Sequence, residues 1–470
     1  MLIHVVKSGD TLWQISNYYN VPIAKIIMVN GLQYPNDLLI GQAIIIPTED
    51  AIHIVRSGDT LWNIAQLYGV SMQSIVQVNN ISSIDNIYPG LQLIIPAIRY
   101  TLKPGETLWQ VAQRYGVSIN RLIEVNNIVN PNLVYTGTIL VIPRIRPSTY
   151  VNGYIYDFTE SSVQTVREAA PFLTYLAPFA YRIKEDGTLE TIDDSSLINA
   201  AYAGSIVPMM SITNFTSTEL GHNLAHVVLS NKDISQKLIT NIINIMKEKG
   251  YQGVNIDFEN VLPEDRENYN QFLESVVQRL HRENFFVSTA LAPKTGESQQ
   301  GLLYEAHDYA AHGRIVDFVI LMTYEWGYRL GPPQAISPLD KIKQVLDYAV
   351  SVIHRDKIFF GFQLYARDWL LPHVQGMEAE TFSMQEAISR AVKYGATINF
   401  DPVSQTPFFN YVDNQGRSHV VWFEDARSAQ AKFDAVKDYN LRGISYWALG
   451  YPFPQNWTLL KDNFNIIKLI

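Results

Sequence analysis

At 470 residues, with 47% hydrophobic and 17% charged side chains, the chain is too long for one ordinary domain and apolar enough to fill a large core. Its formal charge of -9 is concentrated in residues 147–470, which carry -10, whereas residues 1–146 carry +1; the acidic larger part excludes the basic face that nucleic acid needs. There are no cysteines, so disulfides and thiolate metal sites are excluded; the ten histidines show no ligand spacing, and no run is long enough to span a bilayer.

The chain opens Met1-Leu2-Ile3-His4-Val5-Val6-Lys7, without the basic segment, apolar run and cleavage site of a signal peptide, which predicts synthesis without classical export. Its first third is one unit written three times. Ser8-Gly9-Asp10-Thr11-Leu12-Trp13 returns as Ser57-Gly58-Asp59-Thr60-Leu61-Trp62 and as Pro104-Gly105-Glu106-Thr107-Leu108-Trp109, and each unit closes on an apolar strand ending at Pro47, Pro96 or Pro143. The grammar is strand, helix, helix, strand. The Gly-Asp-Thr turn runs into a helix cap, and the second helix opens at Pro22, near Ser71 and near Ser118, with proline suited to the first helical position. So small a unit needs a large filler, and the pattern assigns Trp13, Trp62 and Trp109 to the core in preference to stacking on a ligand.

These repeats resemble the lysin motif (LysM), in modules at 1–48, 51–97 and 98–144. The resemblance implies binding of N-acetylglucosamine-containing glycans, chitin or peptidoglycan, in a shallow groove between two loops. Those loops are Gly9, Asp10 and Thr11 with 36–41; Gly58, Asp59 and Thr60 with 86–90; and Gly105, Glu106 and Thr107 with 133–137. The alternative is that the modules only space or oligomerise the chain.

After Pro147 apolar runs alternate with amphipathic stretches. Strands are predicted at 149–157, 173–182, 206–213, 253–259, 285–292, 315–325, 357–365 and 441–449, with helices such as 234–249 and 266–283 between them. Eight parallel strands over 147–470 predict an α/β fold, a (β/α)8 TIM barrel. A small α+β insertion, about 370–432, separates the seventh strand from the eighth.

The fourth strand carries the chemistry-bearing pattern Gly253-Val254-Asn255-Ile256-Asp257-Phe258-Glu259. Period two puts Asn255, Asp257 and Glu259 on one face and the apolar residues on the other. Two carboxylates at the C-terminal end of a barrel strand sit where such folds keep their chemistry; a solvated face or a buried polar network is the plain alternative. Other strand ends add Met322-Thr323-Tyr324-Glu325-Trp326, Gln363-Leu364-Tyr365 and Ser445-Tyr446-Trp447. Tyr and Trp around two carboxylates suit a sugar, offering flat apolar faces and hydroxyls together.

Here the chain resembles the family-18 glycoside hydrolases, whose Asp-Gly-x-Asp-x-Asp-x-Glu strand aligns with residues 252–259. The resemblance implies that Glu259 is the general acid, that Asp257 and Tyr324 hold the substrate acetamido group, and that Trp447 floors the cleaved subsite. Asn255, Met322, Tyr365 and Glu325 are expected to line the same site, with no metal and no cofactor. Gln252 and Asn255 replace family aspartates, Glu325 stands where aspartate is usual, and Gln363 where proline is common. With a neutral Asn255, Asp257 is expected to ionise more readily and the pH optimum to move lower.

Three LysM modules followed by this barrel resemble the cortex-lytic N-acetylglucosaminidases of spore-forming bacteria. That implies a retaining, substrate-assisted hydrolase of peptidoglycan, acting as a monomer at the spore coat, cortex or cell wall, without membrane partners. A chitinase of the same mechanism and a glycan-binding coat protein with an inactive barrel are the alternatives; a metal site on Asp257 and Glu259 lacks histidines at ligand spacing.

Overall fold

The computed structural model describes residues 1–83, 86–216 and 219–470. They form two compact units, one of residues 1–36 and 43–147, the other of 148–470 with 37–42. Among the described residues no helix is long and apolar enough to cross a membrane.

The first unit repeats one pattern. In each copy two four-residue strands pair antiparallel: Leu2–Val5 with Ala43–Ile46, Ala51–Ile54 with Gln92–Ile95, and Ile98–Thr101 with Ile139–Ile142. Between them lie two short helices, Leu12–Tyr19 and Ile23–Asn30 in the first copy, Leu61–Tyr68 and Met72–Val78 in the second, Leu108–Tyr115 and Ile119–Val125 in the third. The first helix of each copy starts on a threonine: the side chains of Thr11, Thr60 and Thr107 accept the free backbone N–H of Gln14, Asn63 and Gln110. Pro22, expected inside its helix, stands one place before it, at ψ 135°, and Ile23 is the first helical residue.

The tryptophans are a correction. Trp13, Trp62 and Trp109 are 67%, 62% and 59% exposed. The module interior is filled instead by Leu12, Leu61 and Leu108 with Ile15, Ile64 and Val111. Helical geometry is the reason: positions i and i+3 share the inward face, and position i+1 is turned about 100° away. A buried asparagine then ties helix to strand. Asn30 Nδ2 donates to the carbonyls of Ile26 and Ile45 (both 2.8 Å), and its Oδ1 accepts the Ile45 N–H (2.7 Å). Asn79 and Asn126 repeat the device.

The second unit is the expected barrel. Its strands are β1 (Ser148–Ile155), β2 (Tyr175–Pro178), β3 (Val207–Thr213), β4 (Gly253–Asp257), β5 (Phe286–Leu291), β6 (Phe318–Leu321), β7 (Ile358–Gln363) and β8 (Gly443–Trp447). Every neighbouring pair is parallel, and β8 returns to β1, which closes the sheet. Tyr175, Val207, Met209, Phe318, Ile320 and Phe359 pack together inside it. Between β7 and β8 a five-stranded antiparallel sheet begins at Tyr365–Leu371, and a helix, Met384–Lys393, follows its second strand.

Several barrel strands are shorter than the apolar runs suggest. A strand lasts only as long as its neighbours offer a ladder, and the last β3–β4 rung is Thr213 with Asp257. Glu259 and Tyr324, expected within strands four and six, therefore lie on the segments just beyond β4 and β6.

Candidate active site

The C-terminal mouth of the barrel gathers the polar residues that the apolar interior cannot hold. Asp257 closes β4 and is buried; its Oδ1 has no hydrogen-bond partner among the described residues. Burial, and then the charge of Glu259, hold its carboxyl well above the usual carboxylate range. Desolvation is the larger of the two influences on Asp257, and the neutral Asn255 adds no like charge of its own. Glu259 is pushed up to about 7, first by burial and second by the Glu325 carboxylate. Two carboxyls whose pKa values are raised in this way keep a proton between them close to neutral pH.

Asn255 is fully buried and its amide is oriented from both sides. Tyr154 Oη donates to its Oδ1 (2.7 Å), and its Nδ2 donates to Ser288 Oγ (3.0 Å). Burial and the neighbouring Asp257 charge raise the Tyr154 phenol, so it stays a donor. Tyr324 is raised in the same way, by burial and then by Asp257, Glu259 and Glu325, and it too keeps its proton.

Glu325, at φ 72°, is held from the insertion. Arg367 grips it with two hydrogen bonds, Nη1 to Oε2 (2.9 Å) and Nη2 to Oε1 (2.8 Å), and Tyr365 Oη donates to the same carboxylate. Arg367 is itself buried and lies over the Tyr365 ring, 5.0 Å from its centroid. A bidentate pair of this kind, with its guanidinium buried, fixes geometry as well as charge. Trp447, the last residue of β8, stands edge-on to Phe179 (4.8 Å) and Tyr154 (5.5 Å). Met322, Tyr324 and Tyr365 pack in one apolar cluster against which Trp447 and Tyr451 lean. The arrangement offers one proton donor near neutral pH, one buried carboxyl with an open oxygen, two protonated phenols and an aromatic floor.

The structure thus brings Glu259, Asp257, Asn255, Tyr324, Glu325, Met322, Tyr365 and Trp447 to one end of the barrel. Tyr154, Ser288 and Arg367 join them without having been singled out in the sequence. For Arg367 a signal was present, a cation two residues past a strand-end tyrosine; for Tyr154 and Ser288 there was none.

In the first unit the candidate residues form three separate turns. Asp10 and Asp59 bond His4 Nε2 (2.9 Å) and His53 Nε2 (2.8 Å), Glu106 bonds Arg114 (2.6 Å), and each acid also accepts a backbone N–H, from Lys7, Arg56 and Lys103. These acids hold the turn, and the neighbouring threonines Thr11, Thr60 and Thr107 cap the helix. Gly9, Gly58 and Gly105 supply the positive φ (89°, 90° and 77°) that the turn requires.

Residues 153–451 match the family model described as "Glycosyl hydrolases family 18", and residues 4–47, 53–96 and 100–143 each match that of the LysM domain. The cortical fragment-lytic enzyme of Bacillus subtilis (strain 168) is 46% identical over 311 residues, 66% of this chain and 72% of that one. The crystal structure of the Bacillus megaterium QM B1551 spore cortex-lytic enzyme SleL covers 100% of this chain and 99% of its own, with TM-score 0.80 and 36% identity. The Bacillus cereus spore cortex-lytic enzyme SleL covers 89% of this chain and 99% of its own, with TM-score 0.68 and 42% identity.

Proposed function

The chain belongs to the glycosyl hydrolases of family 18, and we propose that it cleaves spore-cortex peptidoglycan after N-acetylglucosamine, with retention of configuration, while its LysM modules hold the polymer. The observation that carries this reading is Glu259: a carboxyl pushed up to about 7 at the mouth of a barrel, beside a buried carboxyl with an open oxygen. A general acid works best when its pKa lies near the working pH. The relatives named for cortex lysis support the substrate class, and the LysM modules support association with cortex or wall.

Glu259 gives its proton to the glycosidic oxygen as the bond to the anomeric carbon breaks. The nucleophile is the substrate's own acetamido oxygen, which closes an oxazolinium ring; Asp257 accepts the acetamido N–H and Tyr324 donates to its oxygen. Glu259, now a carboxylate, takes a proton from the water that opens the ring, and two inversions retain configuration. The sugar on the non-leaving side must therefore carry a free N-acetyl group. Muramic δ-lactam, its nitrogen locked in a ring, cannot serve.

Digestion of purified cortex, followed by mass spectrometry of reduced fragments, tests the reading. New reducing ends are expected on N-acetylglucosamine. Reducing ends on muramic residues alone overturn it, and faster turnover of chitin oligomers than of muropeptides assigns the site to chitin instead.

A further inference from the structure

Glu259 sits where the sheet has already ended. The last rung between β3 and β4 is Thr213 with Asp257, and the last between β4 and β5 is Ile256 with Thr289. Immediately after Glu259 the chain turns at Asn260, φ 54°. Left to itself, the segment 258–259 would have free backbone N–H and C=O groups and a choice of positions, a poor mount for a proton donor.

Two side chains replace the missing rungs. On the β3 side, Asn214 is fully buried and meets Glu259 as a second peptide unit would: its Oδ1 accepts the Glu259 N–H (2.9 Å) and its Nδ2 donates to the Glu259 carbonyl (2.8 Å). The same Nδ2 reaches the Gly221 carbonyl (3.1 Å). On the β5 side, His307 bridges the neighbouring link of the chain. Its Nδ1 accepts the Ala292 N–H (2.8 Å), so its Nε2 carries the proton and donates to the Phe258 carbonyl (2.9 Å). That geometry needs a neutral ring, and burial lowers the imidazole to about 4. Both bond the backbone that carries the carboxyl.

We propose that Asn214 and His307 are positioning residues that extend the β3–β4–β5 sheet past its last rungs and so fix where the Glu259 carboxyl stands. The inference rests on the reading of Glu259 as the acid and adds what aims it. A displacement of about 1 Å at a reacting group costs on the order of 100-fold in rate, and the loss should fall on the step that needs the proton.

The test compares two substrates in the full-length enzyme: an N-acetylglucosamine oligomer, whose leaving sugar must be protonated, and an aryl chitobioside, whose acidic phenol departs without help. Asn214→Ala is expected to lower kcat/KM on the oligomer about 100-fold and kcat/KM on the aryl glycoside less than about 3-fold, because for the aryl glycoside that ratio reports departure of the phenol and not the later step in which Glu259 activates water. His307→Leu should show the same split. Asn214→Asp keeps the volume and can still accept the Glu259 N–H, but as a carboxylate it cannot donate to the carbonyl and adds a negative charge against the Glu259 backbone. Its alkaline limb should move to higher pH. Equal losses on both substrates, no loss on either, or an unmoved alkaline limb in Asn214→Asp overturn the proposal. Glu259→Gln keeps the two failures apart: if that variant still cleaves the oligomer at the parental rate, the acid itself has been misassigned, whatever Asn214 does.

Discussion

At the scale of single residues, burial rather than charge patterning sets the chemistry. Glu259 owes its raised pKa first to desolvation and second to Glu325, so kcat/KM is expected to fall as pH rises through about 7, where the acid is lost. Glu325→Gln removes the second cause and leaves Arg367 unopposed; both changes lower the acid's pKa, so a pH–rate profile should show the alkaline limb moving down. The same raised pKa bears on folding. Between the ordinary glutamate value of 4.5 and about 7 the native state holds a proton that the unfolded chain has released, so stability falls as pH rises through that window. Glu259→Gln abolishes turnover and escapes this penalty. It should be more stable than the parent by about 3 kcal/mol at pH 8 and equal to it near pH 4, by denaturant unfolding at the two pH values. A larger gain at pH 4 than at pH 8 would contradict the assignment.

At the scale of elements, what could be read from the sequence was what repeats or alternates. The eight barrel strands, the threonine caps and the place of Asp257 on the fourth strand all followed from period two, period 3.6 and turn chemistry. The ends of strands were misread, because apolar runs do not show where a neighbour stops offering hydrogen bonds; Glu259 and Tyr324 lie beyond their strands for that reason. Asn214 and His307 were invisible, since their partners are backbone atoms 45 and 49 residues away. The tryptophans were readable and misread: Leu12 and Ile15 already mark the inward stripe, and Trp13 falls outside it. The two kinds of repeated residue therefore predict opposite behaviour in the second module. Trp62→Ala should change stability by no more than about 0.5 kcal/mol, against the 3–5 kcal/mol or so of a buried aromatic. Asn79→Ala strands the N–H and C=O of Ile94, each 2.7 Å from the amide, and should cost about 3 kcal/mol. Hydrogen exchange of the module's amides in the full chain measures both.

At the scale of the whole molecule, the charge divides as the work does. The catalytic barrel is acidic and the LysM part nearly neutral, so attachment to an anionic wall polymer cannot rest on bulk electrostatics and must come from contacts repeated along the glycan. Repetition has a quantitative consequence. Once one module is bound, the next meets the same polymer at an effective concentration set by the short linkers, in the millimolar range for flexible ones. Three weak sites then multiply rather than add. Deleting residues 51–97, the second module, should lower the apparent affinity for insoluble peptidoglycan by on the order of 100-fold in co-sedimentation. Turnover of short soluble oligomers, too small to bridge two modules, should stay unchanged. A loss of only about one third of the bound protein would mean that the modules act singly, and then the threefold repeat serves spacing rather than grip.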